Sequence, residues 1–173
     1  MPILTLVPQD HAILRQVMEK FDFKNPPVDP IQLAKDLAET MVSKQGLGLS
    51  ANQVNLPYRV FVITGDPIMA CFNPIIVNTV EDEVYMDEGC LSYPFYYVKV
   101  KRPRTIRLRF TMPNGETTTR DFTGMTARVI QHELDHLDGI VFKERANAYH
   151  RDVANKNHRR AVRNAKKSKK AGS

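Results

Sequence analysis

His132-Glu133-Leu134-Asp135-His136 is the segment whose residue types and spacing point most directly to chemistry. On a helix, positions i and i+4 stand one above the other on the same face, so both imidazoles can address a single ion. Glu133 then lies about 100° round the helix from His132, flanking that ion rather than competing for it. Without a metal, the same pair reads as two histidines at the surface or at the edge of a core. Two histidines leave a catalytic ion short of a protein ligand. Asp138 is a donor in principle, but it stands just before Gly139, where capping the helix end suits it better.

Cys90 offers the third ligand. It sits in Glu88-Gly89-Cys90-Leu91-Ser92, in polar surroundings unlike those of a core cysteine, although a cysteine taken alone is more often a small buried hydrophobe. A Cys-His-His set keeps one tetrahedral position open, as a catalytic site does and a closed structural site does not. An ion so held lowers the pKa of water, and Glu133 can take that water's proton and pass it to a leaving nitrogen. Amide hydrolysis also needs donors for the developing oxyanion. Gly46-Leu47-Gly48-Leu49-Ser50-Ala51-Asn52-Gln53 supplies small residues beside which a substrate backbone can lie, and Gln53 can aim its amide N–H at a carbonyl oxygen. The stretch lacks the Lys-Ser/Thr end of a phosphate-binding loop, and its plainer reading is an ordinary helix-to-strand connection.

These groups must be positioned by recognisable elements. Residues 1–28 read as an extended arm packed on the domain, with Ile13, Leu14 and Val17 in a short helical turn. A helix starts at Asp29, a good N-cap followed by Pro30, and carries Ile31, Leu33, Ala34, Leu37, Ala38 and Met41 at helical spacing until Gly46 and Gly48 break it. Arg59 to Thr64 reads as a strand ended by Gly65-Asp66-Pro67, and Cys71 to Val80 as another, interrupted at Asn73-Pro74. Residues 93–98 fit a strand or an aromatic-lined loop. Ile106, Leu108 and Phe110 alternate with Arg107 and Arg109, and Asn114-Gly115 then turns a hairpin that returns through Glu116 to Phe122. Met125, Val129, His132, Glu133, His136 and Leu137 follow at helical spacing, and Gly139 stops them. Helix, antiparallel-looking strands and helix, with no crossover helices, predict an α+β domain in which mixed or antiparallel sheets pack around a central helix.

The chain's net charge of +6 is unevenly divided. Residues 1–142 hold 14 Lys and Arg against 17 Asp and Glu, a balance of −3, whereas residues 143–173 hold 11 against 2, a balance of +9. The chain therefore reads as a mildly acidic domain over residues 1–150 with a basic tail over 151–173. Two cysteines exclude a disulfide framework, the apolar runs are too short to span a bilayer, and MPILTLVPQD lacks the features of a signal peptide. A cytoplasmic monomer with no membrane partner is the expectation.

GLGLSANQ at 46–53, EGCLS at 88–92 and QHELDH at 131–136 resemble, in order and separation, the three signature motifs of the peptide deformylases. The likeness covers most of residues 10–145. It implies a metallohydrolase that removes the N-formyl group from the initiator methionine of nascent polypeptides and releases formate. By the resemblance, Cys90, His132 and His136 hold the ion, physiologically ferrous iron, with zinc, nickel or cobalt able to replace it in preparations. Glu133 is implied as the acid and base, and Gln53 with the backbone N–H of Leu91 as the stabilisers of the tetrahedral intermediate. Gly48 is implied to pair with the substrate backbone as an added strand would. Gly46, Leu47, Glu88 and Gly89 are expected along the substrate groove, and Leu47, Met125, Arg128 and Val129 around the methionine side chain.

Three departures from the motif pattern stand out. Ser50 replaces a common alanine, Tyr93-Pro94-Phe95 replaces the usual Ile-Pro-Glu and makes the mouth more aromatic, and Arg128 stands where an apolar residue often lines the pocket. The Arg128 stem can still supply apolar surface while its guanidinium reaches solvent. Two other readings compete. A zinc peptidase shares the two-histidine helix but needs a downstream third ligand. A nucleic-acid-binding module would explain the tail, which on this reading faces phosphate, yet the acidic body shows no recognised binding signature. In the deformylase reading the tail contacts the ribosome, or else simply faces water.

Overall fold

The computed structural model describes residues 3–171. Helix α1, Pro30–Ser43, starts where its cap predicts: the Asp29 carboxylate accepts from the N–H groups of Ile31 and Gln32 at 2.8 and 3.2 Å. Leu33, Leu37 and Met41 recur every fourth residue and are buried. They pack on strands β1, Gly48–Ser50, and β2, Val60–Ile63. Strands β3 (Met69–Thr79), β6 (Thr105–Thr111) and β7 (Thr117–Thr123) complete an antiparallel sheet of order β1-β2-β3-β6-β7. Strands β4, Glu83–Cys90, and β5, Tyr93–Pro103, form a separate antiparallel hairpin.

Helix α2, Gly124–Leu137, lies between the two sheets. Its apolar side, with Ala127, Ile130, Leu134 and Leu137, packs on Phe61, Ile63, Ile106, Leu108 and Phe110 of the five-stranded sheet. Its polar side, with Arg128, His132, Asp135 and His136, is also buried and turns to the hairpin. Gly139, at φ 71°, takes the left-handed conformation that lets the chain leave the helix. Among the described residues no helix is long and apolar enough to cross a membrane.

The arm is pinned as expected. Ile13 and Leu14 are buried in a 3₁₀ turn over Ala12–Arg15, but Val17 is exposed rather than part of that turn. Asn73, in the left-handed region at φ 50°, interrupts β3 and clamps Phe21, accepting from its N–H at 2.7 Å and donating to its carbonyl at 2.9 Å. The α+β architecture and the hairpin at Asn114-Gly115 agree with the sequence reading. Residues 93–98 belong to a strand. Two elements differ. β1 replaces the expected connection after Gly46, because three residues are too few to show a period. β4 was not expected either: Glu83, Tyr85 and Asp87 are exposed and its other face is only half-buried over most of its length, so it carries little apolar signal. Helix α3, Ala148–Ala171, turns the basic tail into one continuous element whose first turns pack on β5.

Candidate active site

The end of β4 and one face of α2 bring the three expected ligands together. His132 and His136 stand one turn apart, and Cys90 Sγ lies 3.2 Å from His136 Nε2. The donor atoms of all three fall within 4.8 Å of one another. Donors around one tetrahedral ion with bonds of about 2.0–2.3 Å stand about 3.5 Å apart, so this set is close enough to share an ion. Asp138 is elsewhere. It caps α2 and accepts from Arg59 Nη1 at 2.6 Å.

The surroundings suit a cation. Burial alone would raise the Cys90 thiol, yet the His136 and His132 imidazoles hold it well below its ordinary value of 9.0, in the thiolate form a metal requires. Glu88 Oε2 lies 3.1 Å from His132 Nδ1, so the carboxylate holds that nitrogen's proton and fixes the ring with Nε2 as the nitrogen left to face an ion. The same carboxylate accepts from Arg102 Nε at 2.6 Å, Arg102 Nη2 at 3.0 Å and Arg128 Nη1 at 2.9 Å. Although burial opposes ionisation, His132 and Arg102 keep Glu88 far below the usual carboxylate range. Arg102 also reaches Asp135 at 2.8 Å, and Arg145 closes the chain on Asp135 at 2.7 Å.

This network corrects the expectation for Arg128. Its guanidinium does not reach solvent: it is buried on Glu88 and on the carbonyls of Val100 and Val84, at 2.9 and 2.6 Å. A charge placed here has fixed partners, and fixed partners outweigh snorkelling. Glu88 likewise lines the site, but both its oxygens are committed to the network. Arg102, Asp135 and Arg145 were missed. A signal existed for Arg102: Tyr96, Val98 and Val100 alternate on the buried face of β5, and Arg102 is next in that phase.

The oxyanion and proton-transfer groups come from the other side. The Ser50 N–H donates to Gln53 Oε1 at 2.9 Å, which fixes the amide so that Nε2 points to Ser92 Oγ at 3.0 Å and Cys90 Sγ at 3.5 Å. Glu133 is buried, and burial raises its pKa above the ordinary 4.5 although His132, His136 and Ser50 pull it down. A carboxyl raised in this way holds a proton more readily than an exposed glutamate, as a group that takes and returns one requires. A Cβ on Gly48 would come 2.5 Å from Glu133 Oε1, so only glycine allows the two to meet. A cavity of about 500 Å³ opens here. Gly46, Leu47, Gly48, Gln53, Glu88, Gly89, Cys90, Leu91, Met125, Arg128, Val129, His132 and Glu133 line it, while His136 lies behind them. Tyr93, Phe95 and Tyr97 add an aromatic rim, and Gln45 and Asp87, not expected, also contribute.

A sequence model of the polypeptide deformylase family matches residues 3–152. The chain belongs to that family. It is similar to the peptide deformylase of Mesorhizobium japonicum, 33% identical over 99% of this chain and 100% of that relative. Its match to the peptide deformylase of Synechocystis is 40% identical but spans 66% of this chain and 64% of that relative. Its fold is similar to the crystal structure of a peptide deformylase from Synechococcus elongatus in complex with actinonin. That similarity has a TM-score of 0.82 at 33% identity and covers 89% of this chain and 85% of the other. Membership in the deformylase family removes the internal-bond peptidase and the nucleic-acid module as readings of the domain. Among the described residues, those beyond the match are 153–171, the greater part of α3.

Proposed function

We propose that this deformylase is a metal-dependent amide hydrolase that removes the N-formyl group from the initiator methionine of nascent polypeptides. The observation that carries the proposal is the convergence of the Cys90, His132 and His136 donors with Glu133 and Gln53 on one cavity. Cys90, His132 and His136 would hold the ion, and the thiolate with two imidazoles suits ferrous iron, with zinc, nickel or cobalt as replacements. Bound there, the ion supplies the Lewis acidity that makes water a nucleophile at neutral pH.

The chain's own groups account for the rest. Glu133 takes the proton of the attacking water and delivers it to the departing amine, and its raised pKa fits both directions of transfer. Gln53 Nε2 and the Leu91 N–H are assigned to the oxygen on which charge develops. β1 is an edge strand, so its unpaired side offers Gly48 to the substrate backbone as a neighbouring strand would. Leu47, Met125, Val129 and the Arg128 stem are assigned to the methionine side chain. The cytoplasm is the proposed address, and nascent chains at the ribosome the proposed partner. Along α3, Arg159, Arg160, Arg163, Lys166 and Lys167 are exposed, which supports phosphate contacts.

Protein purified without oxygen should release formate from a formyl-methionyl tripeptide, with one equivalent of metal by elemental analysis. Cys90→Ser should lose metal and rate together. Absence of formate release from metal-loaded protein would overturn the proposal.

A further inference from the structure

Ser50 departs from the motif pattern and also touches the proposed acid and base. Successive residues of a strand face opposite ways, so Gly48 and Ser50 share one face of β1 and Leu49 takes the other. Leu49 enters the core with α1, and the shared face meets Glu133. Ser50 is fully buried, and its Oγ lies 2.6 Å from Glu133 Oε2 and 3.0 Å from the Glu133 backbone carbonyl. A hydroxyl carries a single proton, and the shorter contact to a carboxylate is the stronger claim on it. The same residue's N–H fixes the Gln53 amide at 2.9 Å. An alanine would keep that backbone contact and lose only the hydroxyl.

We propose that Ser50 is a positioning residue for Glu133: its hydroxyl occupies Oε2, so that Oε1, lying against Gly48 at the cavity wall, is the oxygen left for the proton in transit. A carboxylate swings about its last bond unless something holds it, and a base a fraction of an ångström off line transfers poorly. Gly48 limits the swing by contact and Ser50 by a directed bond. This inference rests on the deformylase reading of Glu133.

The test is a double-mutant cycle of Ser50→Ala and Glu133→Gln on metal-loaded protein, with formate release from a formyl-methionyl tripeptide, metal content and Tm measured for each member. Ser50→Ala should lower kcat about tenfold, the scale of one hydrogen bond to a charged group, with KM within about twofold and metal content equal to the parent. On the Glu133→Gln background it should have no further effect. An equal fold-loss in both backgrounds, a loss matched by missing metal, or a kcat within about twofold of the parent would each overturn the positioning role while leaving the deformylase reading intact. A parent protein that releases no formate overturns that reading and the Ser50 inference with it.

Discussion

Arg102, Arg128 and Arg145 beside α2, and Arg159, Arg160 and Arg163 along α3, are the same residue type under opposite conditions. The first set shares Glu88 and Asp135 through bonds of 2.6–3.2 Å, and Arg102 and Arg128 are buried. The second set is exposed on a stretch that holds no acid from residue 156 onward. Buried charges cannot be left unpaired, so the network beside α2 fixes geometry and is nearly blind to salt. Exposed charges set no geometry, but they project a field that salt erases. The site thus uses charge to orient His132, whereas the tail leaves its charge exposed, where the proposed ribosome contact would draw on it.

The largest expected effect is at Glu133, the proton carrier beside the oriented His132. Glu133→Gln should keep the fold and the metal yet lower kcat about 10²–10⁴-fold, the range of a general acid or base. Turnover and metal content measured on the same sample check it, and near-normal turnover at full occupancy would remove Glu133 from its role.

Next in size is the network itself. Arg102→Met removes the guanidinium shared by Glu88 and Asp135 and should cost about 1.5–3 kcal/mol of stability, since each buried carboxylate loses one cationic partner while Glu88 keeps Arg128 and His132 and Asp135 keeps Arg145. The pH dependence has a definite sign. Glu88 is held below its ordinary 4.5, so the folded state binds its proton later than the unfolded chain does. Its contribution is complete above about pH 4.5 and is lost as the pH falls below that value. Denaturant midpoints should therefore separate parent and Arg102→Met most near neutrality and converge in acid. A gap of constant size would show that Arg102 acts by packing alone.

Gln53→Ala is expected to lower kcat about 100-fold with little change in KM, because its donor serves charge that appears only in the transition state. A rise in KM at constant kcat would make Gln53 a ground-state contact instead.

The two regions also differ in how far they could be read from the chain. Cys90, His132, His136, Glu133 and Gln53 stood out because chemistry needs rare residue types at fixed spacing, and the likeness of three motifs tied them together. The partners that hold them did not stand out. Glu88 and Arg128 were visible as site residues, but which atoms they touch depends on a hairpin, β4–β5, whose first strand carries little apolar pattern. Ser50 is legible in the sequence only as a departure from the motif pattern, because its bond to Glu133 joins positions 83 residues apart. Local signals specified the helices and the Asn114-Gly115 turn. Long-range contacts specified the charges.

The smallest effect on chemistry, and the sharpest contrast, belongs to the tail. The structure fixes where to cut. Ala154 is buried against β5, Asn155 Oδ1 accepts from Tyr96 at 3.0 Å, and the His158 ring lies 5.4 Å from that of Tyr96, so the packed part of α3 extends to His158. Ending the chain after Arg159 keeps that packing and removes Arg160, Arg163, Lys166, Lys167, Lys169 and Lys170. Arg159 with Arg163, and Arg163 with Lys167, stand four residues apart on one helix face, where like charges repel by about 0.2–0.5 kcal/mol per pair. Phosphates would relieve that repulsion. The truncated protein should therefore release formate from a short peptide at the parent rate, within about twofold, and should melt at nearly the same temperature. Its ribosome affinity should fall, and the plot of log affinity against log salt should flatten by about 0.7–0.9 for every phosphate the shortened helix no longer neutralises. Equal affinity and equal salt slope for the two chains would show that the tail's charge faces water alone.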